Sequence, residues 1–169
     1  RGQTLGLIDR FSLDLAQVVN DADLVVIGAP PLATAELLPE VLAHATQGKQ
    51  PVVTDMASIK GAIVDAAQPF YPRFVPGHPI AGSEHSGVQA SNSDLFQGRE
   101  VILTPVEGTE ATAIAAVEAL WVAAGARGGA LGRQRAGRGC DLILRRTRPA
   151  SFCVPYLSQR CEKAANFEY

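Results

Sequence analysis

Leu24-Val25-Val26-Ile27-Gly28-Ala29-Pro30-Pro31 and Pro51-Val52-Val53-Thr54-Asp55 are two short β-branched runs, each ended by a turn or an acid. A brief apolar run bounded by Gly and Pro reads as a strand, and an uninterrupted one as a strand covered on both faces. Between them, 33–45 sets Leu37, Leu38, Val41 and Leu42 on one helical stripe, with Thr34 as the expected cap. Strand, helix, strand in that order signals a βαβ unit and a largely parallel sheet.

Reading outward gives more of the same. Phe74-Val75 runs into Pro76-Gly77, and Glu100-Val101-Ile102-Leu103 into Thr104-Pro105, which adds two strands. Residues 58–67 read as a short helix, and 110–124 as an alanine-rich helix with Ile114, Val117, Leu120 and Trp121 on a buried stripe. Trp121 is then a core residue. Towards the N-terminus, 5–23 carries a helical stripe through Leu15, Val18 and Val19 and resembles the stretch leading into a middle strand of a Rossmann-type sheet. A strand followed by Gly-x-Gly-x-x-Gly is missing: Gly137-Arg138-Gly139 lacks the third glycine, and Gly48-Lys49 lacks the rest of a phosphate loop. The expected fold class is α/β, a Rossmann-type parallel sheet with flanking helices, incomplete on its N-terminal side and followed by an irregular basic tail.

Composition bounds the function. The chain has 169 residues, 47% hydrophobic and 19% charged, which suits one ordinary domain with a real core. A net charge of −2 gives no global positive field for nucleic acid. No apolar run approaches the roughly 18 residues a membrane span needs. The start, Arg1-Gly2-Gln3, has no apolar signal segment behind it and reads as a cut rather than a native N-terminus.

That net charge conceals a division. Residues 1–126 hold 14 Asp and Glu against 6 Lys and Arg, whereas 127–169 hold 3 against 9. Cys140, Cys153, Cys161 and 8 of the 12 arginines fall in the second part. The expected domains are 1–126 as the folded unit and 127–169 as an Arg/Gly/Cys-rich tail, whose composition matches GC-rich coding sequence read out of frame from near residue 127. A basic tail can also bind nucleic acid, but Phe152, Tyr156, Phe167 and Tyr169 do not interleave with its cations. The cysteines form no Cys-x-x-Cys pair and all three histidines precede them, so zinc is not expected. An odd number of thiols without a signal segment reads as a reduced, cytoplasmic chain.

The densest polar cluster is Gly77-His78-Pro79-Ile80-Ala81-Gly82-Ser83-Glu84-His85-Ser86-Gly87. It follows a strand, and ligands of open α/β sheets bind outside strand carboxyl ends. A Gly/Pro-rich turn with solvated polar groups is the plain alternative. Set between Gly77 and Pro79, His78 has little backbone freedom, which aims one imidazole, and a neutral imidazole is a proton acceptor. A second cluster, Asp55-Met56-Ala57-Ser58-Ile59-Lys60, opens a helix. Its plain reading is Asp55 or Ser58 as a cap with Lys60 in solvent; its functional reading brings Ser58 and His78 to one crevice. His44, near a helix C-terminus, and His85 read as surface residues.

Ala22-Asp23-Leu24-Val25-Val26-Ile27-Gly28-Ala29-Pro30, Asp55-x-x-Ser58-x-Lys60, the string from Gly77 to Gly87, Leu95-Phe96 and Leu103-Thr104-Pro105 together resemble the prephenate/arogenate dehydrogenases of tyrosine biosynthesis. The likeness covers about residues 5–126. It implies oxidative decarboxylation of prephenate or arogenate with NAD or NADP, giving 4-hydroxyphenylpyruvate or tyrosine. His78 then matches the family histidine that takes the substrate hydroxyl proton. Ser58 matches the serine that positions it and the nicotinamide end of the cofactor. Glu84, with Ser83, falls at the mouth of the substrate pocket, and Ala29, Pro30 and Asp55 fall at strand ends lining the cofactor crevice. The family's first βαβ would precede Arg1, and with it the residue that tells NAD from NADP. The family's helical dimerisation domain is not found after Ala126, so the homodimer expected of the full-length family is not expected of this chain. The rival reading is a silent fragment, a ligand- or partner-binding module with the same fold.

Overall fold

The computed structural model describes residues 2–67, 69–82, 91–127 and 132–133. Helix α1 (Leu15–Asp21) leads into strand β1 (Leu24–Ile27), followed by α2 (Pro31–Gln47), β2 (Val52–Asp55), α3 (Lys60–Ala66) and β3 (Phe74–Val75). Then come β4 (Gly77–Pro79), β5 (Val101–Leu103), α4 (Ala111–Ala123) and β6 (Gly132–Arg133). Strands β1, β2 and β3 lie side by side and parallel, with Leu24 opposite Val52 and Val53 opposite Phe74. The expected βαβ order and parallel sheet are therefore present.

Beyond β3 the pattern changes. Pro76 has no N–H to give to a ladder, so the extended segment breaks there. The residues after it pair with a different neighbour. Gly77–Pro79 runs antiparallel to β5, with His78 opposite Ile102. The cluster whose plain reading is a turn thus begins as a strand. Gly132–Arg133, expected to be part of an irregular tail, continues this second sheet parallel to β5. The rest of 134–169, with its three cysteines, lies outside the described residues.

The helices differ from expectation at their ends. Asp14 caps α1, its side chain accepting from the Gln17 N–H. Helix α2 starts at Pro31 rather than after Thr34, because a proline at the first helical position lacks only an N–H the helix does not use. Thr34 is consequently not a cap. It is buried inside the first turn, where its Oγ1 donates to the Ala29 C=O at 2.9 Å. Helix α3 starts at Lys60, and Ser58 stands outside it, exposed. Strand β2 is buried along its whole length, but β1 is not covered on both faces as expected, since Val26 is 41% exposed.

Alternation along the strands builds two cores. Val53 and Phe74 join Leu38, Val41 and Ile63 under α1, α2 and α3. Their immediate neighbours Val52 and Val75 join Val101, Leu103, Val117 and Trp121 under α4. Trp121 is a core residue, its ring edge-on to Phe96 at 5.1 Å and 73°.

Candidate active site

Two strand ends carry the site. Ile27 closes β1, and its C=O accepts from the Met56 N–H at 3.1 Å, just past β2. Gly28-Ala29-Pro30 and Met56-Ala57-Ser58 therefore emerge side by side at the carboxyl edge of the parallel sheet. Ala29 is buried and Pro30 half-buried, while Leu32 and Ile59, at the starts of the two helices, leave apolar side chains exposed. The surface that Ala29, Pro30 and Ser58 offer is small and uncharged.

Asp55 faces the other way. Its side chain is fully buried and both carboxylate oxygens are committed: Oδ2 accepts from the Ala57 N–H at 2.9 Å and from Lys60 Nζ, and Oδ1 accepts from the Gly77 N–H at 3.2 Å. Its carboxylate is enclosed in the fold and not open to a ligand. Lys60 corrects the sequence reading more sharply. It is not in solvent but 2% exposed, paired with Asp55 and donating to the Gly77 C=O at 2.6 Å. Two opposite charges buried together satisfy each other, where either alone would be costly.

Gly77 is where these bonds meet, and a side chain there would be crowded. A Cβ there would stand 3.0 Å from the Asp55 carbonyl oxygen and 3.2 Å from Thr54 Oγ1. The close approach lets β4 lie against the end of β2, so that the residue after Gly77 sits beside the crevice. That residue is His78, half-buried. Its pKa is lowered from 6.5 to about 4, first by burial, which disfavours the charged ring, and then by the positive charge of Lys60. At neutral pH the imidazole is unprotonated and has a lone pair to offer.

The structure thus brings the Ser58 segment and His78 to the same edge of the fold, but among the described residues no hydrogen bond joins them. Ser83 and Glu84 lie outside the described residues, as does His85. His44 sits in the last turn of α2, half-buried, away from these strand ends. Lys60 is the functional candidate that sequence reasoning missed. The signal was an acid closing a strand with a lysine five residues on, at the start of the next helix.

Residues 1–128 match the family model described as prephenate dehydrogenase, nucleotide-binding domain. The chain is 35% identical over 129 residues to the cyclohexadienyl dehydrogenase of Zymomonas mobilis, covering 75% of this chain and 43% of that protein. It is 38% identical over 113 residues to the prephenate dehydrogenase of Bacillus subtilis, covering 65% of this chain and 30% of that protein. Among solved structures, prephenate dehydrogenase from Aquifex aeolicus in complex with hydroxyphenyl propionate and NAD+ is similar with a TM-score of 0.68 at 29% identity, over 83% of this chain and 47% of that one. The Synechocystis arogenate dehydrogenase is similar with a TM-score of 0.65 at 26% identity, over 74% and 44% respectively. The chain spans less than half the length of each of these relatives.

Proposed function

The chain belongs to the prephenate dehydrogenase family, as the match of residues 1–128 to its nucleotide-binding domain establishes, and on that premise we propose that it serves the NAD- or NADP-dependent oxidative decarboxylation of prephenate or arogenate. The observation that carries the proposal is His78, unprotonated at neutral pH and held beside the carboxyl edge of the parallel sheet. The uncharged surface at Ala29, Pro30 and Ser58, with exposed Ile59 and Leu32 beside it, fits the flat, weakly polar face of a nicotinamide. A bound nicotinamide supplies the hydride acceptor that no side chain of the protein provides.

The protein's own part is placement and proton transfer. The substrate hydroxyl donates its proton to the free ring nitrogen of His78 while hydride leaves the carbon bearing that hydroxyl. The ring carboxylate departs as carbon dioxide and its bonding electrons complete the aromatic ring as a phenolate, whose oxygen takes the proton back from His78, so charge and atoms balance and the neutral imidazole is restored. Ser58 orients the hydroxyl or the nicotinamide amide from the exposed segment before α3. Glu84 and Ser83 are assigned to substrate binding on the family likeness. The division of the chain at 126 is part of the same reading and is supported by the end of the family match at 128. Self-association through segments of the longer relatives is a separate matter, read by sedimentation.

Two measurements test the proposal. Titration with NAD+ and NADP+, followed by amide shifts, should perturb the residues after β1 and β2, and reduced cofactor should appear at 340 nm when prephenate or arogenate is added. Loss of that turnover in His78→Ala with binding intact supports the assigned role. Binding without turnover in the unaltered chain identifies a ligand-binding module, and no binding of either nucleotide refutes the proposal.

A further inference from the structure

Asp55 and Lys60 together take both polar groups of one peptide residue. The carboxylate receives the Gly77 N–H at 3.2 Å and the ammonium donates to the Gly77 C=O at 2.6 Å, with the two side chains bonded to each other. An isolated ion pair in a core does not need such an arrangement; hydrophobic residues of similar volume would serve stability as well or better. Alternate residues of an antiparallel pair turn their N–H and C=O away from the partner strand, and Gly77 is one of them, since the bonds to the β5 side fall at Pro76 and Ile80. Here its N–H and C=O are spent on a charged pair reaching over from the end of β2 and the start of α3. The result is a fixed backbone immediately before His78 and a fixed cation acting on its ring.

We infer that Asp55 and Lys60 are a positioning pair for His78, clamping the Gly77 peptide so that the imidazole is aimed into the crevice and held next to a permanent positive charge. The inference rests on the function proposed above only in what the imidazole is aimed at; the clamp itself is a statement about the folded chain. Both side chains are enclosed in the fold, Asp55 fully and Lys60 to within 2%, so their role is positioning and not catalysis. Among the described residues, the charged groups on the elements packed against β4 are Asp55 on β2, Lys60 on α3 and, preceding β5, the exposed Glu100. Of these, Lys60 is the one whose charge opposes protonation of His78, and the buried environment acts in the same direction.

The test reads the imidazole directly, on the whole chain, by NMR titration of the His78 ring. In the unaltered protein His78 should titrate near 4, well below 6.5, and the Lys60 ammonium should exchange slowly enough with water to be observed. Lys60→Met should move the His78 midpoint up by about one unit at most, burial holding the larger part of the shift. Lys60→Arg, which keeps the charge, should restore most of the low midpoint. Where Lys60→Met fails to fold, Asp55→Asn with Lys60→Met removes the stranded carboxylate and should give the same upward shift. An unchanged midpoint in a natively folded variant, or an ordinary midpoint near 6.5 in the unaltered chain, overturns the inference. None of these readings depends on turnover or nucleotide binding, so this clamp and the proposed activity stand or fall separately.

Discussion

Acid should destabilise this protein more than its carboxylates alone require, because the folded chain holds His78 unprotonated. Burial and then Lys60 lower its pKa from 6.5 to about 4. In the unfolded chain the imidazole returns to about 6.5, so between the two values the unfolded state binds more protons and stability rises with pH. The contribution is intact above about pH 6.5, drains away as pH falls towards 4, and is constant below that. At about 1.4 kcal/mol per pKa unit the shift is worth about 3 kcal/mol, and the ring's partial contact with water reduces this to about 2 kcal/mol. Urea unfolding of the unaltered chain and of His78→Gln, each at about pH 7.5 and about pH 4, isolates this amount, because His44, His85 and every carboxylate are common to both. The unaltered chain should lose about 2 kcal/mol more than the variant across that interval. Equal losses in the two proteins would refute the reasoning, for they would mean that the folded site does not disfavour the imidazolium.

Two further outcomes follow from the same corner of the fold. Gly77→Ala should cost about 1–3 kcal/mol, since a methyl would sit against the Asp55 carbonyl and Thr54, and the lowered midpoint would be seen in urea or thermal unfolding. Asp55→Ala should cost about 3–5 kcal/mol by stranding the buried Lys60 ammonium, whereas Lys49→Ala, which breaks an exposed 2.6 Å pair with Asp23, should cost less than about 1 kcal/mol in the same assay.

Much of this was legible beforehand, and for identifiable reasons. Leu24–Ile27 and Phe74–Val75 stand where the apolar runs put them, because a short run ended by Gly or Pro has little alternative to a strand. Trp121 is core as its stripe implied. What could not be read depended on contacts distant in sequence. Gly77-His78-Pro79 has the composition of a turn, and its strand character comes from pairing with Val101–Leu103, more than twenty residues on. Lys60 has the local setting of a solvated helix-start residue, and its burial follows from Asp55 and the Gly77 carbonyl closing over it. Thr34 was misread for a local reason. Pro30-Pro31 already supplied the helix start, and a threonine three residues into a helix turns its hydroxyl back to a carbonyl.

The paired valines of β2 have one more consequence. Val52 and Val53 are adjacent in the chain yet belong to different cores, as are Phe74 and Val75 in β3. Because neighbouring strand residues point to opposite sides, neither layer of helices can peel away without unseating strands that the other layer needs. The two cores, though they share no side chain, are therefore welded into a single cooperative unfolding unit whose seam is β2 and β3. Asp55 closes one of those strands and His78 follows closely on the other. The imidazole is consequently set in place only in molecules that have folded on both sides, and a half-formed chain has neither the clamp nor the aimed ring.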